Sequence, residues 1–191
     1  MALTKSILRV ALATGLLLLI PLTAKLFLAD MAWSLGDFVA AGILLFGAGL
    51  TFVLIARMGD NTAYRLAVGV AVAAGLLLVW ANLAVGLVGS EDNPVNLLYG
   101  GVLLVALIGA IVARFRPLGM SNAMFAAALT YAVVTVVALS IWTPPSATAE
   151  PSVGMVNVVG ANAAFAAIWV VSGWLFRRAS ATRSTVGQRL A

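Results

Sequence analysis

Long apolar runs, separated by short polar stretches, make up most of the chain. Six of them reach the length of about 20 residues that an α-helix needs to cross the hydrocarbon core of a membrane. They cover residues 7–28, 35–56, 65–89, 96–114, 121–142 and 155–176. The pattern predicts an all-α fold, a polytopic membrane bundle of six transmembrane helices, which pack antiparallel because their connections are short. We expect one domain, 1–176, followed by a basic polar tail, 177–191.

The basic residues are unevenly divided between the two sides that these spans create. If both termini are cytoplasmic, ten of the 11 Lys and Arg residues fall inside and only Lys25 falls outside. Five of the six acids fall outside, Asp60 being the exception. Because cytoplasmic loops are enriched in Lys and Arg, this distribution predicts cytoplasmic N and C termini.

The first run, which follows Lys5 and Arg9, also has the composition of a secretory signal peptide. Its apolar stretch is long, however, and the positions near Ala24 lack a clean A-x-A cleavage pattern. An uncleaved first helix is therefore the favoured interpretation.

Composition excludes several classes of function. The chain has 191 residues, of which 63% are hydrophobic and 9% charged, and its mean hydropathy is +1.13. The net charge of +5 does not indicate nucleic-acid binding, because the basic residues form no stripe with interleaved aromatics. The absence of Cys and His excludes disulfides and thiolate- or imidazole-ligated metals, so we expect no cofactor. No catalytic motif is found, and the chain is predicted not to be an enzyme.

Polar residues near or within the spans are the candidate site residues, because such groups are costly in lipid. They are Lys25, Asn82, Glu91, Asp92, Asn157 and Asn162. Lys25 either extends to the headgroups or pairs with an outer acid. Each asparagine either hydrogen-bonds to another helix, which is favoured, or coordinates a solute. If they form a site, Asn82 is its inner wall and Glu91 or Asp92 its mouth.

The stretch WANLAVGLVGSEDNP, 80–94, contains the most conspicuous polar group. Gly89 suits the left-handed conformation that ends a helix, and Asn93 with Pro94 suits the start of the next. The acids between them are favourable beside a helix N-terminus. Helix capping thus accounts for residues 89–94 and leaves Asn82 unexplained.

Small residues are patterned at helical spacing on two of the predicted helices. Gly101 and Gly109 share a face of the fourth helix, and Gly160 and Ala164 share one on the sixth. Such faces allow helices to approach closely in lipid, within one chain or against a homo-oligomeric or other membrane subunit.

Three polar residues also lie 20 positions before an arginine, at 37, 96 and 157. Either the hairpin is repeated three times, or one membrane span simply separates an outer cap from an inner arginine.

Three segments carry a resemblance: 33–57, 80–94 and 111–129. They resemble a family of small bacterial multi-pass membrane proteins without an assigned activity, over roughly residues 30–130. The most specific element is N-L-A-V-G-x-x-G-S-E-D-N-P, here Asn82 to Pro94. The resemblance implies a bacterial inner-membrane location and no particular mechanism, and the sixth span has no counterpart in it.

Three functions follow as hypotheses. The first is a structural or accessory membrane protein that packs through small-residue helix faces, with the lipid bilayer and other subunits as its partners. The second is a small transporter or channel, alone or oligomeric, for an ion or small solute. The third and least favoured is an enzyme acting on lipid.

Overall fold

The computed structural model describes residues 3–28, 33–142 and 155–189, and over these residues the chain is helical without a strand. The helices are α1 (Leu3–Phe27), α2 (Leu35–Ala56), α3 (Thr62–Ala84), α4 (Gly100–Val112, preceded by a 3-10 helix, Pro94–Tyr99), α5 (Pro117–Ile141) and α6 (Met155–Arg189). Six segments are long and apolar enough to cross a membrane. The predicted all-α, six-span membrane fold is confirmed. The side on which the termini lie stays a prediction.

The chain divides into two compact units, Met1–Arg57 and Met58–Ala191. The first unit is the hairpin of α1 and α2. A Cβ on Gly49 of α2 would lie 2.6 Å from Cγ1 of Val10 on α1, so the glycine allows a close helix contact. The single domain 1–176 stays a prediction.

The second unit contains α3 to α6 in antiparallel succession. Helix α5 packs against both α4 and α6, and α6 packs also against α3. Small residues set the closest approach, since a Cβ on Gly109 of α4 would lie 2.7 Å from the Cβ of Ala123 on α5. Helix α6 buries one stripe of residues, separated by three, four or seven positions: Val158, Asn162, Trp169, Ser172, Phe176 and Ala179.

The third helix ends earlier than its hydropathy predicts. It stops at Ala84 rather than at 89, because Gly86 adopts a φ of +73° that breaks the helical path. Gly89 also has a positive φ, +77°, but it lies inside the loop that follows. Asn93 caps the next helix and Pro94 begins it, as predicted, although the first six residues form a 3-10 helix.

The sixth helix ends later than its hydropathy predicts. It continues past 176 to Arg189, and the part apolar enough to span a membrane is Val156–Ala181. At about 1.5 Å per residue, the remaining turns extend about 12 Å beyond that span. The first part of the basic tail is therefore a continuation of α6.

Gly86→Ala is expected to destabilise the protein by about 2 kcal/mol or more. A left-handed φ costs a non-glycine residue about 1–2 kcal/mol, and the added Cβ would lie 2.3 Å from the carbonyl oxygen of Ser90. Gly101→Ala is the matched control, since no heavy atom lies within 4 Å of its Cβ position. The thermal unfolding midpoint in detergent, followed by tryptophan fluorescence, measures both. Equal midpoints for the two variants would contradict the assignment of Gly86 as the helix-ending residue.

Candidate functional site

A loop after α3, residues 85–93, enters the end of the second unit, which we call the loop end. The side chain of Leu87 is 8% exposed and that of Val88 is fully buried. Their backbone amides and carbonyls are thus withdrawn from water without belonging to a helix. Non-helical backbone is stable at such a place only if the protein itself supplies its hydrogen-bond partners.

Asn96, on the 3-10 helix, supplies most of these partners. Its Oδ1 accepts hydrogen bonds from the amides of Leu87 (3.1 Å) and Val88 (2.9 Å). Its Nδ2 donates to the carbonyls of Val88 (3.3 Å) and Ser90 (2.8 Å). Asn93 adds a further hydrogen bond to the carbonyl of Val88, at 3.0 Å. The loop is therefore held by the residues that begin the next helix.

Asn162, on the buried stripe of α6, connects this loop to the rest of the unit. Its Nδ2 donates to the carbonyl of Leu87 (3.1 Å) and to that of Val158, one turn earlier on α6 (2.9 Å). Its Oδ1 accepts from the hydroxyls of Tyr99 (2.7 Å) and Tyr131 (3.1 Å). Asn162 is 1% exposed. We call Asn93, Asn96 and Asn162 together the asparagine clamp.

The two tyrosines join the clamp to α4 and α5. Both are fully buried, and their ring centroids lie 5.1 Å apart. The hydroxyl of Thr135 on α5 lies 3.2 Å from the Tyr99 hydroxyl and donates to the carbonyl of Tyr131 at 2.9 Å. One amide on α6 thus joins the loop after α3, the start of the fourth span and α5.

An asparagine amide offers two N–H donors and one oxygen with two lone pairs. Asn162 uses both donors on carbonyls and both lone pairs on tyrosine hydroxyls. Asn96 is saturated in the same way. These amides therefore hold protein groups and have no capacity left to coordinate a solute.

Asn82, the predicted inner wall, behaves differently. Its Nδ2 donates to the carbonyl of Leu78, one turn earlier on the same helix, at 2.9 Å. Its Oδ1 is buried and has no hydrogen-bond partner. The side-chain nitrogen of Asn82 thus bonds within α3, whereas a hydrogen bond to another helix was the favoured prediction.

Three other candidates in the second unit are exposed and take no part in the clamp. Glu91 and Asp92 are exposed on the loop, and Asn157 is exposed on α6, away from its buried stripe. Lys25 belongs to the first unit, where its Nζ donates to the carbonyl of Trp33 and lies 5.9 Å from the Phe38 ring centroid. This lysine thus links the end of α1 to the start of α2.

Sequence reasoning missed three residues of the site: Asn96, Tyr99 and Tyr131. Asn96 was noted only for its spacing from an arginine. The available signal was the pair Asn96 and Tyr99, three residues apart at a helix start, which places two polar groups on one helical face. Tyr131 lies in the middle of an apolar run, where a hydroxyl needs a partner when it is buried.

Neither metal binding nor known relatives identify the site. Within 3–28, 33–142 and 155–189, no group of three or more His, Cys, Asp or Glu residues could hold a metal ion. No protein-family model matches the chain, and no curated protein or solved structure matches it. The family resemblance of 82–94 therefore stays a prediction.

Asn162→Leu is expected to lower stability far more than Asn82→Leu. The first change leaves the Leu87 carbonyl and the Tyr131 hydroxyl without their partner, at about 1–3 kcal/mol for each unsatisfied group, and leaves the Tyr99 hydroxyl with Thr135 alone. The second removes a buried oxygen that already lacks a partner and one hydrogen bond within α3, so the unfolding midpoint should change little or rise. Thermal unfolding of both variants in the same detergent measures the difference. A larger loss for Asn82→Leu would mean that the clamp does not hold the loop end.

Proposed function

We propose that this multi-pass membrane protein is a structural or accessory component of a membrane and has no catalytic activity. The observation that supports this most is the saturation of Asn162 and Asn96 by groups of the protein itself. Polar side chains that served a substrate would keep hydrogen-bonding capacity directed toward it. Here that capacity is used to fix the arrangement of helices.

The small-residue faces support the same proposal. Part of the face of α4 is used inside the chain, where Ala106 and Ala110 are buried and Gly109 meets α5, whereas no heavy atom lies within 4 Å of a Cβ on Gly101. The face of α6 is not used in this way. Gly160 and Ala164 are exposed, on the side of α6 away from its buried stripe, and no heavy atom lies within 4 Å of a Cβ on Gly160. In lipid, such a face favours close packing against another helix, of a second copy or of another membrane subunit.

The proposed location is the bacterial inner membrane, with both termini in the cytoplasm. The uneven distribution of Lys and Arg supports the orientation. The resemblance of residues 30–130 to small bacterial membrane proteins supports the location. The proposal includes no cofactor and no nucleic-acid partner.

The double variant Gly160→Leu/Ala164→Leu is expected to lose its membrane partner while keeping its own fold. Two leucines on this face hold neighbouring backbones apart, whereas the buried stripe of α6 is untouched. Native mass spectrometry of gently extracted protein gives copy number and co-purifying subunits, and tryptophan fluorescence gives the unfolding midpoint. Val159→Leu, at a position that is 46% exposed on the flank of the face, is the control. The proposal fails if wild type, control and double variant show the same assembly state.

A transporter or channel for a small solute is the second candidate, and the buried unpartnered Oδ1 of Asn82 favours it. That oxygen keeps an unused capacity to accept a hydrogen bond, which a solute entering the bundle would satisfy. Swelling of proteoliposomes in small neutral solutes distinguishes the two functions. If the protein is structural, its proteoliposomes should swell at the same rate as protein-free liposomes. A faster rate that Asn82→Leu abolishes, with the unfolding midpoint unchanged, would establish the transporter instead.

A further inference from the structure

The end of the second unit away from the loop end carries arginines from three separate stretches of chain. They are Arg65, Arg114, Arg116, Arg177 and Arg178, and all are exposed. We call this surface the arginine end. Acidic residues are scarce near these stretches, since Asp60 precedes α3 and the sequence has no acid from 93 to 149 or after 150.

A buried aromatic junction brings the three stretches together. The hydroxyl of Tyr64 on α3 donates to the carbonyl of Phe115, between α4 and α5, at 2.8 Å. The Tyr64 ring meets the edge of Phe176 on α6, with ring centroids 5.2 Å apart. Tyr64 and Phe176 are both fully buried. The side chain of Asn61 adds a hydrogen bond to the carbonyl of Ala179 on α6, at 2.9 Å.

Each of the three junction residues is followed directly by an arginine: Arg65, Arg116 and Arg177. The contacts of this junction therefore place three exposed arginines at the same end of the second unit. Like charges gathered at one end of the unit repel one another, and an anion between them lowers that repulsion. The fold thus maintains a concentration of positive charge that its own acids do not balance.

Arg178 and Trp174 place this charge at the level of lipid headgroups. The guanidinium carbon of Arg178 lies 3.6 Å from the Trp174 ring centroid, a cation–π contact. Trp174 is 46% exposed. Tryptophan is enriched at membrane–water interfaces, where its ring lies at headgroup depth. An arginine stacked on it lies at the same depth.

We propose that the arginine end binds the phosphate of an anionic phospholipid. A guanidinium group matches a phosphate oxygen pair with two parallel hydrogen bonds, so arginine suits this ligand better than lysine. Arg65, Arg116 and Arg177 surround the phosphate, and the acyl chains lie along the apolar surface of the bundle. Basic pockets between transmembrane helices bind anionic headgroups in this manner.

The test uses the full chain, delipidated in a neutral detergent and titrated with phosphatidylglycerol or phosphatidylcholine. Native mass spectrometry is expected to show phosphatidylglycerol retained and phosphatidylcholine not. Arg65→Gln/Arg116→Gln should weaken phosphatidylglycerol binding about 30-fold, from about 1 kcal/mol per basic residue and 1.4 kcal/mol per tenfold. Lys5→Gln/Lys25→Gln is the control of equal charge change, because both lysines belong to the first unit and neither is near the junction in sequence, so affinity should be unchanged. Equal losses in the two double variants, or no loss in either, would overturn the proposal.

A third variant separates binding from folding. Arg114 has a φ of 49°, a left-handed conformation that glycine adopts without strain. Arg114→Gly should keep the unfolding midpoint in lipid-free detergent while weakening phosphatidylglycerol binding about five-fold. Unchanged binding in this variant counts against the proposal. Displacement of the lipid by inorganic phosphate at equal concentration would identify a free anion as the ligand and overturn the lipid assignment.

Discussion

The second unit depends on hydrogen bonding to a short piece of non-helical backbone. Leu87 and Val88 bury their side chains where no water reaches their amides and carbonyls, and the asparagine clamp supplies the missing partners. Because each unsatisfied group would cost about 1–3 kcal/mol, the loop can lie there only when Asn96 and Asn162 are in place. The positions of α4, α5 and α6 relative to the loop follow from this requirement through Tyr99 and Tyr131.

The two ends of the second unit are therefore built on different chemistry. At the loop end, neutral amides and hydroxyls satisfy one another within the protein. At the arginine end, aromatic contacts satisfy the backbone and leave formal charge on the surface. Between the ends, the buried contacts are mostly apolar, with Ser121 and Ser172 donating to carbonyls of neighbouring helices. A membrane favours this arrangement, because charge is stable only at its surfaces and internal polar groups must be paired.

The number and class of the helices could be predicted because hydropathy over about 20 residues reports directly on transfer into lipid. The helix ends could not, since either Gly86 or Gly89 suits the left-handed conformation and the buried contacts of Asn96 decide which one ends α3. The sequence also did not indicate which of Asn82 and Asn162 is fully hydrogen-bonded. Both are single amides in apolar runs, and only the register of α6 against the loop and α5 shows which one finds partners.

The connection from Asn162 to Leu87 spans 75 residues of sequence and links the last helix to a loop near the middle of the chain. In a chain made from its N-terminus, five spans are complete before this amide exists. The loop must therefore remain in contact with water, or with some other donor, until α6 enters the membrane. Closure of the loop end is thus a late step of biosynthesis. A chain truncated before α6 would keep five spanning helices but would lack the amide that completes its interior.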